Sequence, residues 1–147
     1  MNSFTTFYIK SATFSKEERK IIFSYSFDNS VIFNEEIILP HECAIRDDFN
    51  NEVAENILFH ASIAFGMSYY KLSPTRKIII ESASISTDQK EFWRDFYLSG
   101  LGEFFYTNDI DFRNLAYFES WSDKIYQKID FSLDDTILLP IWWGKDS

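Results

Sequence analysis

The residues best suited to chemistry stand at the end of the chain. Gly144, Lys145, Asp146 and Ser147 follow an apolar run, Ile137–Ile141, and two tryptophans, Trp142 and Trp143. A small-residue loop behind an apolar strand can turn its backbone N–H groups toward a phosphate, because no bulky side chain keeps the anion away. Gly144-Lys145 invites comparison with the Walker A loop. That motif needs a glycine five residues before the final Gly-Lys, and Ser or Thr after it. Position 139 is Leu and position 146 is Asp, so both requirements fail. Two further groups stand out. Lys71 closes the polar segment "SYYK", where the bland role is a cation at a helix C-terminus. Glu103 follows Gly102 among aromatics, and an apolar surround would raise its pKa toward the range of acid–base work. His41, His60 and Cys43 lack metal-ligand spacing and read as structural.

The elements that must position these groups can be read from periodicity. "IIFSYSF" alternates Ile21, Phe23, Tyr25 and Phe27 with Ile22, Ser24 and Ser26, which predicts a strand. Asp28-Asn29 is a hairpin turn, and strands on either side of this hairpin make an antiparallel meander over residues 4–39. A helix is expected from about residue 48 or 50 to Lys71, with Val53, Ile57, Ala61, Ala64 and Ser68 on its core stripe, widened by Leu58 and Phe65. "RKIIIES" predicts a buried strand. Ser86 with Gln89 forms a capping box for a second helix, Thr87 to about Tyr106, with Trp93, Phe96, Tyr97, Gly100, Leu101 and Phe104 inward. "NLAYFES" and "TILLPI" predict two more strands. The order is that of an α+β fold: a β-meander packed with two main helices and further strands.

Composition narrows the function. The 147 residues include 16 Phe and 8 Tyr but two Val, so the core is built from rings. The net charge of −9 disfavours a nucleic-acid partner, which calls for a basic footprint, and an anionic membrane surface. One cysteine excludes an internal disulfide. The start carries no signal-peptide pattern and no stretch is apolar enough to span a bilayer, which predicts a cytoplasmic protein. Only four glycines occur where about ten would be ordinary, so Gly66, Gly100, Gly102 and Gly144 each invite a specific reason. For Gly100 and Gly102 this is close helix packing, a frayed end, or close approach of a ligand.

The last four residues resemble the G-x-D-S half of the pyrophosphate loop of the ATP pyrophosphatase superfamily. The segments "GMSYYK", "FYLSGLGEFFYTNDID" and "ILLPIWWGKDS", in that order, resemble the bacterial UDP-N-acetylmuramoyl-L-alanyl-L-glutamate epimerase family, MurL, over nearly the whole chain. The resemblance implies an isomerase of peptidoglycan biosynthesis. Such an enzyme uses ATP with Mg, releasing AMP and pyrophosphate, to activate a glutamate carboxylate and invert the terminal L-Glu of UDP-MurNAc-L-Ala-L-Glu. Carried over, Gly144, Asp146 and Ser147 contact ATP phosphates or magnesium, with Lys145 at the variable position. For "SYYK" and "GLGEF" the resemblance gives a pattern without roles, and Lys71 and Glu103 are taken from those segments as candidate catalytic residues of the substrate site. The pattern departs at Trp142 and Trp143, where the family has small residues.

The resemblance also implies a division into an N-terminal α+β domain, residues 1–133, and the first strand and phosphate loop of a nucleotide-binding α/β domain, residues 134–147, with a long region after that loop. Ser147 is the last residue here, so the expectation is that the chain by itself neither consumes ATP nor epimerises. Two other readings stay open: a non-catalytic α+β binding module, and a different adenylating enzyme of the ATP pyrophosphatase type. The oligomeric state is not legible.

Overall fold

The computed structural model describes residues 4–42, 45 and 51–128. Over them the chain runs β1 (Thr6–Ser15), β2 (Lys20–Phe27), β3 (Val31–Ile38), α1 (Asn51–Tyr70), β4 (Lys77–Ile80), α2 (Thr87–Gly100), α3 (Gly102–Thr107) and β5 (Tyr117–Ser120). The strands form one mixed sheet in the order β3-β2-β1-β4-β5. The first three make the expected antiparallel meander, while β4 and β5 extend the other side of β1 in parallel. This is the α+β class predicted. The strand expected near "TILLPI", the boundary after residue 133 and Cys43 lie outside the described residues.

The β2–β3 turn follows from its residue types. Asp28 and Asn29 both take positive φ, 48° and 54°, which short polar side chains tolerate and which matches the twist of the flanking strands. Asp28 also ties down the start of β1. Its carboxylate accepts from the Thr5 and Thr6 N–H groups at 3.0 and 2.9 Å and from the Thr5 hydroxyl at 2.8 Å.

The two long helices pack on one face of the sheet. Phe7, Ile78 and Phe118 lie in register across β1, β4 and β5 and so share that face. Tyr70 of α1 meets Phe7 with ring centroids 5.8 Å apart, and Tyr97 of α2 meets Phe118 edge-on at 5.2 Å. Between them, Phe7, Phe23, Tyr25, Phe27, Phe59 and Phe105 are fully buried. The opposite face carries ion pairs between neighbouring strands, Lys20–Glu36 and Lys77–Glu119, and Lys10–Glu81 beyond the end of β4.

Two expectations about the helices are corrected. The buried face of α1 is Phe59, Ser62, Ile63, Gly66 and Tyr70, while Ile57, Phe65 and Ser68 are exposed. Apolar residues occur all round this helix. The core takes the side with a glycine and a serine, because that side leaves room for tyrosine rings from β2 and α2. The second helix begins as predicted, with Ser86 and Gln89 closing a reciprocal capping box. It does not run on to Tyr106. Leu101, at φ −102° and ψ 12°, leaves the helical region between two glycines, and α3 starts afresh at Gly102. The bend turns Phe105 into the core instead of Phe104.

Candidate functional site

The segments containing "GMSYYK" and "YLSGLGEF" come from different helices and pack against each other. Gly66 is the point of closest approach. A β-carbon there would lie 2.8 Å from the Tyr97 hydroxyl and 3.1 Å from a Tyr25 ring carbon. The missing side chain lets Tyr25 donate to the Ser62 carbonyl at 2.9 Å and Tyr97 to the Ile63 carbonyl at 2.6 Å. Tyr70 donates to the Thr75 carbonyl at 2.6 Å and sets its ring 5.3 Å from that of Tyr97. Burial is the leading cause that raises the pKa of all three phenols, so each stays a neutral donor well beyond the usual range. Gly100 lies over the Met67 thioether, with a β-carbon there meeting sulfur at 3.0 Å. Gly102 has open space beside it, so close packing does not explain that glycine.

The predicted site residues sit at the rim of this packed region. Lys71 is exposed one residue past the end of α1, where its N–H still bonds to the Met67 carbonyl at 3.3 Å. Glu103 is exposed in the first turn of α3, not enclosed by the aromatics around it in sequence. Gly144, Lys145, Asp146 and Ser147 lie outside the described residues. Among those that are described, no group of three or more His, Cys, Asp or Glu side chains could hold a metal ion. No described helix is long and apolar enough to cross a membrane.

Two clefts escaped the sequence reading because each is assembled from distant elements. The smaller, about 170 Å³, lies between β3 and α1 and is lined by Glu35, Ile37, Phe65, Ser68 and Tyr69. Tyr69 donates a hydrogen bond to Glu35 there. That bond, with desolvation and the carboxylate charge, raises the pKa of the phenol.

The larger cleft, about 480 Å³, opens at the carboxyl end of β4. β1 pairs with β4 only as far as Ile9 and then continues with β2 alone. The chain after β4 turns away toward α2, leaving the Ser11–Phe14 stretch of β1 facing a gap. Asn51, Ala54, Glu55 and Leu58, at helical spacing on α1, line the second side. Lys124 and Tyr126 close the third. Lys124 is paired to Glu55 at 2.7 Å and lies 4.6 Å from the Tyr126 ring centre. Ser82 also lines the cleft, and its hydroxyl is buried without a hydrogen-bond partner among the described residues.

A family model described as the MurL N-terminal domain matches residues 1–147. A UDP-N-acetyl-alpha-D-muramoyl-L-alanyl-L-glutamate epimerase of Xanthomonas oryzae pv. oryzae (strain MAFF 311018) is 27% identical over 123 residues. The match covers 84% of this chain and 27% of that protein, so the chain spans about a quarter of its relative. No solved structure matches.

Proposed function

This chain belongs to the MurL N-terminal domain family, and from that premise we propose that it is the substrate-holding part of an ATP-dependent epimerase. The substrate is UDP-MurNAc-L-Ala-L-Glu, whose terminal L-glutamate is inverted to D-glutamate for peptidoglycan synthesis. The observation that carries the proposal is the family match over the full 147 residues. The packing of "GMSYYK" against "YLSGLGEF" supports it, since the segments that carry the resemblance meet around Gly66.

Inversion at an α-carbon requires a proton to leave one face and return on the other. ATP, when bound, supplies the activation that makes this proton more acidic. Its phosphates and magnesium are assigned to Gly144, Lys145, Asp146 and Ser147. Lys71 and Glu103 are proposed to contact the substrate from the rim, as exposed groups free to swing toward a bound carboxylate or its α-carbon. The reaction itself belongs to the longer protein. Residues 1–147 alone bind substrate without turning it over.

The test is a calorimetric titration of residues 1–147 with UDP-MurNAc-L-Ala-L-Glu, without ATP. Saturable 1:1 binding is expected. A folded chain that gives no binding at millimolar substrate removes the substrate-holding role.

A further inference from the structure

We propose that the cleft at the carboxyl end of β4 holds the N-acetylmuramoyl-L-alanyl portion of the substrate, and that the uridine diphosphate portion lies elsewhere. This rests on the functional reading above and adds to it a location and a division of the ligand.

Topology supplies the first reason. In open α/β sheets ligands sit beyond the carboxyl ends of parallel strands, and the parallel pair of this mixed sheet ends in a comparable gap. Here β1 and β4 run parallel to Ile9 and Ile80 and then diverge, one into a hairpin and the other toward α2. The volume of about 480 Å³ falls within the ordinary range for small-molecule sites.

Lining chemistry supplies the second. Ser11, Thr13, Asn51 and Ser82 offer hydroxyl and amide groups that suit sugar hydroxyls and an acetamido group. Ala12, Ala54 and Leu58 lie among them and suit the acetyl, lactoyl and alanyl methyls. Tyr126, packed against Phe59 and beneath Lys124, closes the edge. The Ser82 hydroxyl is buried without a hydrogen-bond partner among the described residues, an arrangement that costs stability unless another group satisfies it.

Charge supplies the third. A diphosphate needs an uncommitted cation or a row of free amides. The lysine of this cleft is neutralised by Glu55 at 2.7 Å, so the pair presents no net charge. The cleft therefore favours a neutral, hydroxyl- and amide-rich ligand over a pyrophosphate.

The test uses residues 1–147 labelled with ¹⁵N and titrated separately with UDP and with N-acetylmuramoyl-L-alanine as its C-terminal amide, which keeps that ligand neutral. N-acetylmuramoyl-L-alanine is expected to shift the amide resonances of Ser11, Thr13, Ser82 and Tyr126, and UDP to leave them in place. Ser82→Val should weaken N-acetylmuramoyl-L-alanine about tenfold, the scale of one lost hydrogen bond together with added bulk. Ala54→Leu, which fills the cleft from α1, should do the same if Ser82→Val does not fold. Shifts caused by UDP at these positions, absence of any shift with N-acetylmuramoyl-L-alanine, or unchanged affinity in a folded variant each overturn the assignment. Failure of the functional reading looks different. In that case N-acetylmuramoyl-L-alanine still shifts these residues, yet no D-glutamate is formed by the longer protein. If the complete UDP-linked substrate binds but the shifts lie away from the cleft, only the assignment falls.

Discussion

The Tyr97 hydroxyl reaches the Ile63 carbonyl at 2.6 Å across the bare backbone of Gly66. A tyrosine from α2 thereby seals the middle of α1, and the glycine is the reason it can. Gly66→Ala places a β-carbon 2.8 Å from that hydroxyl. Overpacking of this kind costs about 1–3 kcal/mol, to be read from urea unfolding. Tyr97→Phe removes the oxygen in the way and costs about 1 kcal/mol for its hydrogen bond. The double variant should be more stable than the sum of the two losses predicts, because the second change relieves the clash made by the first. Simple additivity would show that the contact is not the cause.

Alkaline pH should unfold the protein cooperatively. The phenols of Tyr25, Tyr70 and Tyr97 are fully buried and their pKa values are raised, chiefly by desolvation. A raised folded-state pKa contributes stability that is fully present below the unfolded value of 10.0 and is lost as pH rises through the folded value. The unfolded chain then releases up to three more protons than the folded one. Stability should fall above pH 10 with a slope of up to about 4 kcal/mol per pH unit. Urea midpoints from pH 8 to 12 measure this, and a flat profile would contradict the burial of these hydroxyls.

Acid acts on a different group. Desolvation pushes the Asp28 carboxyl up, but the N–H and hydroxyl of Thr5 and the N–H of Thr6 together outweigh it and hold the pKa below 3.8. A depressed value contributes stability above the unfolded pKa and loses it as pH falls through the folded one. Asp28→Asn keeps a residue that tolerates positive φ. The variant should therefore lose stability at pH 6, and the gap from the parent should close below pH 3.8 as the parent protonates. The site is exposed, so a small effect is expected. A gap that persists unchanged to pH 2 would assign it to shape instead of charge.

Lys71 and Glu103 should matter to turnover without mattering to folding. Both are exposed, so Lys71→Ala and Glu103→Gln should change stability by no more than about 0.5 kcal/mol. In residues 1–147 joined to the remainder of the Xanthomonas oryzae enzyme, each is expected to lower kcat by tenfold or more. Thermal unfolding and steady-state rates measured side by side separate the two effects, and full activity in both variants would remove these residues from the site.

Local chemistry was the legible part of this sequence. Asp28-Asn29 names its own turn, and Ser86 with Gln89 names its own helix start, since neighbouring residues alone decide both. The α1 stripe was legible in part: Leu58, Ala61 and Ala64 pack against the core, while Ile57, Phe65 and Ser68 are exposed. Ile57 and Phe65 are more hydrophobic than Gly66 and Ser62, yet the core chose the smaller pair to admit Tyr25 and Tyr97 from elsewhere in the chain. Leu101 likewise looks helical, and only the docking of Phe105 reveals why the chain bends there. The larger cleft joins Ser11, Asn51, Ser82 and Lys124 from four separate segments. No spacing rule links them, so this candidate site could emerge only from the sheet order. The residues that suggested chemistry first, Gly144 to Ser147, are legible as a motif alone.

The stereochemistry of the product decides whether residues 1–147 serve an epimerase. Residues 1–147 alone, and the same residues joined to the remainder of the Xanthomonas oryzae enzyme, are incubated with ATP, magnesium and UDP-MurNAc-L-Ala-L-Glu. After hydrolysis, chiral chromatography measures D-glutamate. The account predicts D-glutamate from the joined protein and none from residues 1–147. D-glutamate from residues 1–147 alone would contradict it. So would a folded, substrate-binding joined protein that forms none while the unaltered Xanthomonas enzyme does.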